Sequence, residues 1–214
     1  MTSYDHFIRL LVLIGFLIGG LLLTTLFSGF LMLASGMSVT DIMEMAQSGM
    51  GDLSPGLTRG LLATQHLLIF ILPGWIFGLA FYQGKFLAGL NLNVRPGWQL
   101  SILGIFFLLA AYPLVNLSFL VNESIPLPAW ANKFESQAED TLKAILTMDT
   151  PVIFIFNLII IAILPGIGEE LIFRGILQKH IGLLFKSPVA AIWIAAFIFS
   201  AIHLQFEGFL PRMA

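Results

Sequence analysis

The chain is 214 residues long, 58% apolar and only 10% charged, with a mean hydropathy of +0.95. That composition lies outside the soluble globular range and makes the bilayer its solvent. A net charge of -2 from scattered ionisable residues implies no polyanion, so nucleic acid is set aside as a partner, and the lack of cysteine removes disulfides, thiol catalysis and thiolate metal sites together.

Five apolar segments are long enough, or nearly so, to cross a hydrocarbon core of about 30 Å at about 1.5 Å per residue: 7–33, 61–82, 98–121, 152–185 and 188–204. The first far exceeds a signal-peptide core and has no small-residue cleavage pattern after it, so it reads as a retained anchor. Gly15 with Gly19, and Gly74 with Gly78, are small-residue pairs at helical spacing, which predicts close helix contacts there. The expected fold class is an all-α polytopic transmembrane helix bundle forming a single integral membrane domain over 1–214. Within it, 1–150 supplies N-terminal helices and 151–214 carries the residues suited to chemistry.

Between the spans, 37–59 holds Asp41, Glu44 and Asp52 against one arginine, and 122–150 holds five acids against Lys133 and Lys143. The connection 83–97 has Lys85 and Arg95 with no acid. The positive-inside rule therefore puts the N-terminus and 83–97 in the cytoplasm, together with the turn near Lys179, His180 and Lys186. Within 128–149, Trp130, Phe134, Ala138, Leu142, Ile145 and Leu146 recur at three- and four-residue steps, the pattern of a helix lying in the interface.

The fourth span contains Pro165-Gly166-Ile167-Gly168-Glu169-Glu170-Leu171-Ile172-Phe173-Arg174. Each charge at a helix centre costs roughly 2.5 to 3.5 kcal/mol on insertion scales, so two carboxylates and an arginine there call for a reason. The proline and glycines predict a break, with a helix restarting at about Glu169 and both acids in its first turn. Glu170 and Arg174, four apart, can pair along one face and leave Glu169 as the working base; the alternative is an ion pair that merely ties helices together. In the fifth span Phe199 lies one turn before His203 on the same face. Lys186 is midway between Glu169 and His203, and residues equidistant from the turn of an antiparallel helix pair lie at the same depth. The spacing therefore predicts that Glu169 and His203 face each other and share a water.

Glu169-Glu170-x-x-x-Arg174 followed by Phe199-x-x-x-His203 resembles the first two motifs of the CAAX prenyl protease and bacteriocin-processing family of intramembrane proteases, which includes abortive-infection proteins. The resemblance runs from Pro165 onward, making 151–214 the first part of a protease core. It implies a membrane endopeptidase cleaving membrane-associated or prenylated substrates, in a bacterial cytoplasmic membrane. Glu169 and His203 would activate water, Glu170 and Arg174 would support the site, and Phe199 would contact substrate. Some members are described as zinc metalloproteases and a metal-free glutamate mechanism is also argued; no residue here is assigned as a metal ligand. The resemblance further implies a histidine with asparagine or aspartate four residues later, in another helix. The chain as read to Ala214 does not hold that motif, so the site is expected to be incomplete, with more spans in a complete protein. Gln205, Glu207 and Arg212 are given no role beyond the site rim.

Gly49-Met50-Gly51-Asp52 spells the glycine-x-glycine-aspartate of intramembrane aspartyl proteases, but it sits in a polar connection with no partner aspartate in any span. Neither a paired-histidine zinc helix nor a serine elbow is present. His66 reads as a polar contact between helices, and His6 and His180 as residues of the membrane edge. The remaining rival class is non-catalytic: an immunity-type binder, or a proton-coupled carrier using the same acids.

Overall fold

The computed structural model describes residues 2–50, 53–90, 92–93 and 96–213. Two sequence features, Gly51-Asp52 of the glycine-aspartate motif and Arg95 of the basic connection, lie outside the described residues. The described residues are helical throughout their regular structure, as an all-α polytopic bundle requires. Among the described residues, four helices are long and apolar enough to span a membrane: α1 (Ser3–Ala34), α3 (Pro55–Tyr82), α5 (Trp98–Glu123) and α7 (Pro151–Phe185). The shorter elements are α2 (Val39–Ser48), α4 (Phe86–Gly89), α6 (Ala129–Leu146), α8 (Pro188–Ile202) and α9 (Phe209–Met213). The fifth apolar segment is thus a helix of 15 residues, about 22 Å long.

The helix does not break at Pro165. α3 and α7 each carry the tetrapeptide Ile-Leu-Pro-Gly, at Ile71 and at Ile163, and each is wound wide just before it. The N–H of Leu72 donates to Leu67 O and that of Leu164 to Ile159 O, five residues back. A wide turn shifts the carbonyl that a proline ring would strike, so the helix continues past the proline. Glu169 and Glu170 keep helical dihedrals inside the continuous α7, so the expected restart, with its dipole argument for the two acids, is replaced by mid-helix positions.

α3 and α7 run parallel, with Arg59 beside Asn157, Phe70 beside Gly168, Gly74 beside Leu171 and Tyr82 beside His180. α1 crosses them antiparallel to α3. The close approach is at Gly20, where a Cβ would strike the main-chain oxygen of Leu68; Gly15 and Gly19 have nothing within 4 Å, so that expected pair makes no contact. Gly74 does admit Leu171 of α7, whereas Gly78 admits the Phe86 ring of the following turn. The buried core lies among α1, α3 and α7: Leu13, Phe70, Phe77, Leu171, Ile172 and Ile176. At one end of it the Nδ1 atoms of His6 and His180 are 2.9 Å apart, one donating and one accepting, and Tyr82 OH lies 3.4 Å from His180 Nε2.

α5 stands apart, with Asn122 as its one buried residue. Apolar side chains facing lipid lose nothing by that, because hydrocarbon is as apolar as leucine. α6 forms as the interfacial periodicity requires and lies against the bundle through Ala131 and Ile145, which are 0% and 3% exposed. Its C-terminal end is tied down by Arg59, whose Nη2 donates to Ile145 O and Thr147 O, and by Asn157, whose Nδ2 donates to Ile145 O.

Candidate active site

α7 ends at Phe185, Lys186 takes a left-handed conformation (φ 53°), and the Ser187 hydroxyl caps α8 by accepting from the N–H of Ala190. With the turn at that residue, pairing follows from helical rise alone. Gly182 meets Ala191, the rings of Phe173 and Phe199 stand 5.1 Å apart, and Glu169 meets His203, each pair equally far from Lys186 to within a residue.

The Oε1 of Glu169 and the Nε2 of His203 are 3.9 Å apart, with side chains 21% and 27% exposed. That is too long for a direct hydrogen bond, yet one water making bonds of about 2.8 Å to both atoms would fit at an angle of about 90°. The tautomer follows from the other ring nitrogen. His203 Nδ1 lies 2.6 Å from Phe199 O, and a carbonyl only accepts, so Nδ1 carries the proton and Nε2 presents a lone pair toward Glu169. The Phe199 ring, edge-on to His203 at 4.7 Å, fixes the imidazole plane.

Glu170 and Arg174 pair at 2.6 Å as their spacing requires. The protein does not enclose the pair, since its side chains are 52% and 74% exposed. Both residues, with Glu169, Phe173, Phe199 and Arg212, line a cavity of about 280 Å³.

Arg212, which sequence reasoning placed only at the rim, is part of the wall. It reaches there because α9 folds back onto α8: Ser200 Oγ donates to Phe209 O at 2.9 Å, and Asn122 of α5 holds the connection by donating to Phe206 O and accepting from Leu210 N–H. Its guanidinium donates to the side-chain and main-chain oxygens of Gln205. Glu207 sits aside, its N–H donating to Glu135 of α6. His66 does not make the interhelical polar bond expected of it: its Nδ1 is buried without a hydrogen-bond partner and its ring stacks on Phe70 at 5.9 Å. The adjacent polar pair Gln65-His66 inside an apolar span was the signal available in the sequence.

Catalytic zinc takes three protein ligands. Glu169 and His203 face each other as two donors, and no group of three or more histidines, cysteines or acids able to hold a metal occurs among the described residues. The donor set present does not fit zinc.

Residues 151–214 match a family model described as Rce1-like, type II CAAX prenyl endopeptidase. The matched segment covers both motifs and bears out the resemblance drawn from them. No curated protein and no solved structure matches the chain.

Proposed function

We propose that this chain, an integral membrane protein whose residues 151–214 carry the likeness to CAAX-type proteases, is an intramembrane endopeptidase that hydrolyses membrane-associated or lipidated polypeptides. We place it in a bacterial cytoplasmic membrane, with surrounding lipid as its other partner. The observation that carries the reading is the Glu169–His203 approach of 3.9 Å across the α7–α8 turn. Both atoms facing the gap accept hydrogen bonds, so a water held there points its two hydrogens at Glu169 and His203 and its lone pairs outward, ready to attack a carbonyl carbon. Glu169 takes a proton as the C–O bond forms and returns it to the amide nitrogen as the C–N bond breaks. His203 orients the water by accepting one of its hydrogens at Nε2. Among the cations of the cavity, Arg174 is held by Glu170, which leaves Arg212 to stabilise the oxyanion. Phe173 and Phe199 close the cavity against lipid and give the substrate an aromatic wall.

The test is cleavage of a prenylated peptide by the purified protein in detergent, beside Glu169→Gln, which fills the same volume but cannot take a proton. The variant should lose at least about 100-fold in rate at unchanged thermal stability. Proton-coupled flux in vesicles with no cleavage, or cleavage that survives Glu169→Gln, overturns the proposal.

A further inference from the structure

A second cavity, of about 420 Å³, lies beneath α6. Gln65 and His66 of α3, Gln137 and Thr141 of α6, and Gln205 after α8 converge on it, between apolar residues such as Leu62 and Ile160. Among the described residues no aspartate, glutamate, lysine or arginine lines it, in contrast to the smaller cavity that holds Glu169, Glu170, Arg174 and Arg212. Among the described residues, His66 Nδ1 is the one lining side-chain atom that is buried with no partner. Native structures rarely leave such an atom unless something absent from the bare chain completes it. A series of ring contacts joins His66 to the site: Phe70 at 5.9 Å, Phe70 to Phe173 at 6.4 Å, Phe173 to Phe199 at 5.1 Å and Phe199 to His203 at 4.7 Å. Phe199, four residues before His203, lines the smaller cavity, and Gln205, two residues after it, lines the larger.

We propose that this second cavity holds an uncharged, extended stretch of the polypeptide substrate on one side of the bond cut at Glu169, with His66 Nδ1 hydrogen-bonded to its main chain. The assignment rests on the hydrolytic reading above. An extended peptide brought among membrane helices carries N–H and C=O groups that hydrocarbon cannot satisfy, and glutamine amides with a neutral imidazole offer both donors and acceptors for them. The apolar lining takes alternate side chains. A charged side chain would find no counter-ion among the described lining residues, which disfavours it there.

The absence of cysteine makes the test direct. Thr141→Cys labelled with benzophenone maleimide puts one photoprobe in the cavity; Leu108→Cys, at a position 74% exposed on α5, puts the same probe in lipid. The ligand is a biotinylated apolar peptide without charged side chains, mixed with the full chain in phosphatidylcholine vesicles, beside the same peptide with one central lysine. The uncharged peptide should form a saturable adduct at 141 several times stronger than at 108, in Glu169→Gln as well, and the lysine peptide should not. His66→Phe keeps the ring stacking without the nitrogen and should raise the half-saturating concentration about tenfold, the worth of one hydrogen bond. Equal labelling at 141 and 108, or a His66→Phe curve superimposable on the parent's, overturns the assignment. If Glu169→Gln stops cleavage yet 141 labels no better than 108, only the cavity assignment fails. If cleavage persists in Glu169→Gln while the adduct forms as described, the hydrolytic reading fails and the peptide site stands.

Discussion

Asn157→Leu tests how α6 is held over the second cavity. Asn157 is 2% exposed; its Oδ1 accepts from Arg59 Nε at 2.7 Å and its Nδ2 donates to Ile145 O at 2.5 Å. Leucine fills a similar volume and removes both bonds, the first worth about 1.5 to 3 kcal/mol because its donor is charged and the second about 1 kcal/mol. Two terms reduce the loss. Arg59 is not stranded, since its Nη2 still donates to Ile145 O at 3.2 Å and Thr147 O at 3.0 Å, and the leucine gains about 1 kcal/mol of apolar burial. The net destabilisation should be about 2 kcal/mol, a fall in melting temperature of about 4 to 8 °C for a chain of this size. Asn157→Asp keeps the acceptor for Arg59 and should lose less. The assay is thermal unfolding in detergent together with limited proteolysis between residues 129 and 150, which should quicken in Asn157→Leu before the rest of the chain is cut. A leucine variant that melts with the parent and shows unchanged proteolysis would mean that α6 is held by its apolar face alone and that the Arg59–Asn157 tie contributes nothing.

The helix register can be read by cross-linking: a Glu169→Cys, His203→Cys pair should join efficiently with a short bifunctional reagent, and a Glu169→Cys, Ile192→Cys pair, about 16 Å off along the axis, should join poorly; the reverse order would displace the turn from Lys186. Gly20→Val drives a Cβ into the main-chain oxygen of Leu68 and should cost about 1 to 3 kcal/mol, while Gly19→Val, with nothing within 4 Å, should be neutral in the same melting experiment; equal effects would refute the α1–α3 crossing. At α2 the Ser38 main-chain N–H, and after it the Ser38 hydroxyl, hold the Asp41 carboxyl below the usual carboxylate range. A depressed folded-state value means that the capping box stabilises α2 fully above the ordinary carboxylate range and loses this as pH falls through the lowered value. Protection factors of the α2 amides, corrected for intrinsic exchange, should therefore fall on acidification in the parent and stay flat in Asp41→Asn.

Much of the site was legible in the sequence because it rests on local regularity. Two helices joined at one turn place residues equally far from it at about the same depth, and this held although Glu170–Gln178 of α7 is wound wide; the position of Lys186 between Glu169 and His203 was enough to pair them, and the four-residue spacing of Glu170 and Arg174 was enough for their ion pair. The apolar runs determined the spanning helices in the same way, and the interfacial periodicity determined α6. Tertiary structure decided what depends on the partner surface. A proline with two glycines reads locally as a break, yet a wide turn before Pro165 keeps α7 whole, and the same device in α3 lets the two helices lie side by side. Of the glycines of α1, packing chose Gly20 over Gly15 and Gly19 because only Gly20 faces the Leu68 carbonyl. The exposure of the Glu170–Arg174 pair, the return of Arg212 to the cavity wall, the tie from Arg59 through Asn157 to α6, and the unpartnered nitrogen of His66 all depend on where residues far apart in the chain come to lie. No local period or propensity encodes such meetings; they follow from where whole helices come to rest against one another.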